Sequence, residues 1–305
     1  ELVDEDFAGE GRSADAEEAV VYFEERNGLL KSAFPIFVDG TEIGRSGRLN
    51  EVNRRVELGN LIVQNENLSK MMVNRMWSHF HGYGFTRPLD ALGTEPTISH
   101  PELLEFLAAE FVDSGYDVRQ LIKWITLSKA YQLSSVGLRE NLSDDPSAGE
   151  IPQFSRFYLR QMSAEQLYQS LISVAGQSTG SSEEQRAERD RWISQFVVAF
   201  GTDEGDESTT FNGTIPQALM MFNGELVSRA CGTSPGSLIA DVLLKTSRYP
   251  EQVNSLFLAG LSRKATSKEL EVANQLLRAR QANVTEALQD LWWAILNSNE
   301  FIFVH

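Results

Sequence analysis

The stretch NRMWSHFHGYGFTRPLD, residues 74–90, gathers Arg75, Trp77, His79, His81 and Asp90 in a chain that holds only four histidines, so chemistry is sought here first. A histidine titrating near its ordinary ~6.5 can act as acid or base, and an arginine can hold an anionic group. With His100 a little further on, Arg75, His79 and Asp90 are the groups a catalytic cleft would have to bring together. Two histidines one residue apart chelate a metal from a strand but not from a helix. NLSKMMVNRMWSHF spaces Leu68, Met72, Met76 and Phe80 by four, which is a helical period. His79 and His81 then point about 200° apart. His79 shares a side with Arg75, and His81 lies near Asn74 and Trp77. A competing use of the two histidines is structural: they sit in a last turn, before Gly82, where unpaired carbonyls and the negative helix end attract them. His100 opens SHPELLEFL as the first residue of a capped helix, with Pro101 beside it. No cofactor and no metal are expected from these residues.

The common catalytic templates are absent. There is no GxxxxGKS phosphate loop, no GxGxxG after a strand, no GxSxG elbow and no HExxH helix. DEGDES, in the irregular stretch 202–214, lacks the order of a calcium loop and reads as a solvated loop. Cys231 is the only cysteine, so neither an intramolecular disulfide nor a multi-cysteine zinc site can form, and the thiol is expected to be inert.

The elements that must position these groups read as helix after helix from Arg48 onward. Ser99 with Glu102, Ser163 with Gln166 and Thr266 with Glu269 have the spacing of a capping box. Asp117 with Gln120 and Asn283 with Glu286 are looser forms of it. Gly82, Gly115 and Gly176 follow helical runs where a left-handed residue closes a helix. VRQLIKWITLSKAYQL and ALQDLWWAILNSNEFIF carry apolar residues at helical spacing and should be core helices, with Trp293 lying off the core face. Upstream, AEEAVVYFEERNGLL, residues 16–30, reads as a short amphipathic helix. FPIFVDGTEIG reads as a hairpin with Asp39 and Gly40 in its turn. VGLRENLSDDPSAGE, residues 136–150, has no apolar period and reads as a linker. The domain reading is an N-terminal helix and hairpin segment over 1–47, a helical lobe over 48–135, and a second helical lobe over 151–305 packed on the first. The fold class is all-α: a multi-helical orthogonal assembly in two lobes with a small N-terminal β-hairpin.

A chain of 305 residues with 42% hydrophobic side chains can bury a substantial core. Its formal charge of −16 repels phosphate backbones, which argues against a nucleic-acid surface. No apolar run approaches the roughly 18 residues that would span a bilayer. The start at Glu1, without an initiator Met, is read as a trimmed N-terminus.

Taken in order, VNRMWSHFHGYGFTRPLD, SHPELLEFLAAEFVDSGYDVRQLIKWITLSKAYQLSS, LRQMSAEQL, QALMMFN, LFLAGLSRKATSKEL and ALQDLWWAILNSNEFIFVH resemble the bacterial, planctomycete-type family named domain of unknown function 1553. The resemblance covers about residues 48–305. Three positions depart from the family pattern. Asp90 is followed by Ala91 and not by a second aspartate, EPTI stands where Asn-Pro-Pro is usual, and Tyr168 and Gln169 replace an arginine-aspartate pair. The resemblance implies a periplasmic or secreted multidomain protein, partnered by companion domains of the same longer chain or by another envelope protein. It implies no established chemistry. Three roles stand open: an interaction or scaffold module, an enzyme with a polar cleft at Arg75, His79, Asp90 and His100 acting on an anionic or polysaccharide substrate, and a ligand-binding domain without turnover. Arg75 is expected to pair with a carboxylate or loop carbonyls at a buried site, where its loss would cost roughly 3 to 5 kcal/mol. The closing FIFVH is expected to pack back on the helical body, with His305 near residues 74–90.

Overall fold

The computed structural model describes residues 3–7, 20–91, 97–174, 190, 191, 193, 194, 221 and 224–304. The acidic stretch 202–214, Gly176, most of QALMMFN and His305 lie outside the described residues. The described chain is mostly helical with a small N-terminal hairpin. It forms two compact units, one of Glu1–Val73 with Glu102–Val118 and one of Asn74–Pro101 with Arg119–His305.

In the first unit, strands β1 (Val21–Glu24) and β2 (Leu30–Ala33) pair antiparallel, Val21 opposite Ala33 and Glu24 opposite Leu30. This corrects the helix expected over 16–30. Val21, Tyr22 and Phe23 are β-branched or aromatic, and Asn27-Gly28 supplies the turn: Gly28 has a φ of +82°, and Asn27 Oδ1 accepts from the Leu29 N–H at 3.0 Å. The hairpin expected in FPIFVDGTEIG is reduced to a single bridge between Ile36 and Glu42. Its turn centres on Val38 and Asp39, closed by the Gly40 N–H to the Phe37 carbonyl at 2.9 Å, and Gly40 follows as the left-handed residue. Helix α1 (Arg54–Gln64) starts at Asn53, whose side chain accepts from the N–H groups of Arg55 and Val56. Helix α2 (Glu66–His81) follows after one residue, and its last turns belong to the second unit.

Helix α3 (Pro101–Asp113) begins with a proline at its first position. The box expected of Ser99 and Glu102 does not form. Ser99 stands one residue before the cap position, and its hydroxyl lies 3.1 Å from His100 Nδ1. Gly115 closes the helix as expected, with φ +70°.

The core of the second unit is built by α5 (Ala164–Val174), α6 (Glu225–Ala230), α7 (Leu238–Lys245), α8 (Tyr249–Leu261), α9 (Ser267–Ala279), α10 (Val284–Leu296) and α11 (Asn299–Ile302). The expected caps at Ser163–Gln166 and Thr266–Glu269 form reciprocally, and Asn283 accepts from the Glu286 N–H at 3.3 Å. In α10, Leu288, Leu291, Trp292 and Ile295 are buried while Trp293 is 40% exposed, as its spacing requires. Gly260 lets α8 and α10 approach: a Cβ there would come within 2.9 Å of Ile295 Cγ2 and 3.0 Å of Trp292 Cζ3. The helix expected over 118–133 is shorter, α4 (Val118–Leu127), with Leu121 and Ile125 buried and Leu133 exposed beyond its end.

The closing residues dock as expected, by a device the sequence did not reveal. Phe301 and Ile302 are buried in α11, and strand β4 (Phe303–Val304) pairs antiparallel with β3 (Arg160–Gln161). That pairing covers β3 and brings Arg160 into the interior.

Candidate functional site

The last turns of α2 and the loop that follows are organised by Asn74, which is fully buried. Its Oδ1 accepts from the Phe85 N–H at 2.6 Å, and its Nδ2 donates to Thr86 Oγ1 at 2.8 Å and to the Leu89 carbonyl at 2.7 Å. One amide thus pins three points of a loop that has little regular structure of its own. Gly84 is needed for that approach, since a Cβ there would meet Asn74 Oδ1 at 2.7 Å. Gly82, at φ +88°, closes α2 where the sequence places it.

Arg75 pairs with Asp90 through two parallel bonds, Nε to Oδ1 at 3.1 Å and Nη2 to Oδ2 at 3.0 Å. Of the two expected partners, a carboxylate or loop carbonyls, it is a carboxylate, but the expected burial is not found: the side chains are 48% and 55% exposed. Water already solvates both, so the cost of a broken buried pair does not apply, and such a surface pair contributes about 0 to 1 kcal/mol. The pair ties the far end of the loop to α2 and neutralises Arg75.

His79 and His81 face opposite ways, as a helix demands. His79 is exposed; His81 is 2% exposed. The His81 ring stacks on Trp77 with centroids 4.1 Å apart and its Nδ1 lies 3.2 Å from the Trp77 carbonyl, while its Nε2 is buried without a partner among the described residues. Burial pushes the His81 pKa down to about 4; the carbonyl opposes this and the nearby Arg160 cation adds to it. His79 is lowered for the same first reason, desolvation, with Arg160 again contributing. His100 packs against this aromatic layer, 5.6 Å from the Phe154 ring and 6.3 Å from Phe85.

Phe154 is the hub of the layer. It meets Trp77, His81, Phe85, His100 and Tyr158 with centroids 5.4 to 5.9 Å away. It holds φ at +51°, which is uncommon for a side chain of this size. The strain is sustained by Tyr158, whose hydroxyl accepts from the N–H groups of Gln153 and Phe154 at 3.1 and 2.8 Å and donates to Asp144. Asp144 is buried in the stretch 136–150 and accepts also from the Gln153 and Ser155 N–H groups and the Ser155 hydroxyl. Burial opposes its ionisation, but the bonds from Tyr158, Ser155 and Gln153 outweigh it and hold its pKa below the ordinary value. The stretch read as a linker is therefore fastened to residues 153–158.

Arg160, on β3, is 6% exposed. Among the described residues it has no carboxylate partner, its Nε is buried without an acceptor, and the Tyr131 hydroxyl is its one stabilising neighbour. Desolvation lowers its pKa, and it acts on both His79 and His81. A concavity of about 690 Å³ lies by α5 and α8; Glu165, Gln169, Ser173, Gly260 and Phe301 are among its walls. Tyr168 and Gln169 both line it.

Of the four sequence candidates, Arg75 and Asp90 are brought together, with each other. His79 is exposed and feels the Arg160 charge, and His100 packs on the Phe154 ring. Sequence reasoning missed Arg160, Tyr131, Asp144 and Phe154. Only the FSRFYLRQ stretch, dense in aromatics and arginines, could have signalled that a polar group is drawn inside there. Among the described residues no cluster of three or more metal-ligating side chains occurs, and no helix is long and apolar enough to cross a membrane.

These features define a helical module in which the side chains of the distinctive motif are largely engaged by the fold itself. Residues 54–196 match the family described as "PSD1: Protein of unknown function (DUF1553)". The segments beyond residue 196 that resemble that family lie outside the matched residues. No curated protein and no solved structure matches the chain.

Proposed function

We propose that this chain is a non-catalytic interaction or scaffold module of a longer bacterial envelope protein of the planctomycete type, placed in the periplasm or outside the cell. Its partners are companion domains of the same chain or another envelope protein. The observation that carries this reading is the engagement of the motif: Asn74 is committed to three bonds in its own loop, and Arg75 is already neutralised by Asp90. An enzyme at Arg75, His79, Asp90 and His100 would need those groups to face one substrate. His100 instead packs on the Phe154 and Phe85 rings with its Nδ1 3.1 Å from the Ser99 hydroxyl, while Arg75 is occupied by Asp90. The acidic surface and the absence of common catalytic templates support the same reading.

The test is a turnover screen of the purified chain against neutral and acidic polysaccharides and simple phosphate, sulfate and carboxylate esters. No turnover is expected. Hydrolysis that is lost in Arg75→Ala or His100→Ala, with the fold intact by circular dichroism, would replace the module by the enzyme. A role in binding a ligand without turnover is favoured by one specific observation, the interior Arg160 without an acidic partner among the described residues.

A further inference from the structure

We propose that Arg160, Tyr131 and His79 form a recognition site for a single oxyanion group, a carboxylate or a sulfate ester, carried by a ligand of this module. The inference rests on the ligand-binding reading, and the interaction role stands without it. Charged side chains are almost never fully buried unless something pairs with them, because removing a cation from water costs several kcal/mol that only an anion or a full set of acceptors offsets. Arg160 is 6% exposed and has neither among the described residues. Its neighbours are a phenol hydroxyl and two imidazoles, and a guanidinium with unused N–H groups matches a planar or tetrahedral oxyanion in shape.

The surroundings narrow the ligand. Tyr131 is held edge-on by Phe80, His81 and Phe157, with centroids 5.6 to 5.9 Å away, and its hydroxyl is the neighbour that favours the arginine's charge. His79 is exposed on the last turn of α2 and supplies the outward side, with Phe80 set edge-on to it at 5.2 Å. The histidine pKa values are held down, so near neutral pH the cluster carries one positive charge, that of Arg160. One charge suits a monoanion better than a phosphate dianion. The aromatic edges suit an apolar or sugar-like body next to the charged group.

The experiment follows the Arg160 Nε–H resonance by nuclear magnetic resonance, assigned by its loss in Arg160→Lys, while acetate, methyl sulfate or inorganic phosphate is titrated in chloride-free buffer. A saturable shift with acetate or methyl sulfate is expected, at least tenfold weaker in Tyr131→Phe, and the tighter of the two identifies the source of the oxyanion. Phosphate should bind no more tightly than either. A shift that stays linear to high concentration, or one unchanged in Tyr131→Phe, overturns the site. Should Arg160→Lys fail to fold, Tyr131→Phe and His79→Gln still decide the matter, because neither removes the buried cation. Failure of all the titrations removes this site and leaves the interaction reading to its own test.

Discussion

His81 sits where burial has its largest chemical effect on a single residue. It is neutral in the fold because its pKa is about 4, against ~6.5 for an ordinary histidine in the unfolded chain. Between those values the unfolded chain binds a proton that the folded one refuses, so stability is fully present above about pH 6.5 and is lost as pH falls toward 4. The loss from this residue amounts to about 3 kcal/mol. His79, lowered in the same direction, adds to the same window, while Asp144 and Glu269, with depressed carboxyl pKa values, act further down. Replacing His81 by Phe keeps an aromatic ring on Trp77 and removes the titration. Urea midpoints at pH 7 and pH 4.5 should then differ far less than in the parent chain. An unchanged difference would show that the acid response lies elsewhere.

At the scale of elements, legibility followed how local the cause was. The helix α10 was readable because its burial pattern is the helical period itself, and the Thr266 box because its two bonds lie within four residues. The N-terminal helix failed because its period competes with β-branched and aromatic residues beside an Asn-Gly turn, and the pairing across that turn won. Nothing local marks Arg160 as interior, since its burial comes with the pairing of β3 to β4, more than a hundred residues later. That Arg75 takes a carboxylate or loop carbonyls was legible, but neither the choice of Asp90 nor its exposure was, because spacing carries no information on solvent access. Gly260 shows the same limit. It reads as an ordinary helical glycine, yet Trp292 and Ile295 press on it from α10. Gly260→Ala should therefore destabilise the second unit by about 1 to 3 kcal/mol although alanine is the better helix former. Differential scanning calorimetry would check this, and a raised melting temperature would mean that the two helices separate at little cost.

The whole molecule offers a convenient way to see which part responds to a change. It comprises two compact units, and among the described residues the tryptophans, at 77, 124, 292 and 293, belong to the segments of the second. Tryptophan fluorescence therefore follows that unit, while far-ultraviolet circular dichroism follows both, and disagreement between the two probes would mark separate transitions. The central claim is that the motif beginning at Asn74 is engaged by the fold and is not held free for chemistry. Asn74→Ala tests it most directly. The substitution leaves the Phe85 N–H without its acceptor and releases two more loop contacts, so urea unfolding followed by tryptophan fluorescence should show a loss of about 2 to 4 kcal/mol. A variant that unfolds at the parent's midpoint, with the same slope, would contradict the account and return Asn74 to the candidates for a working site.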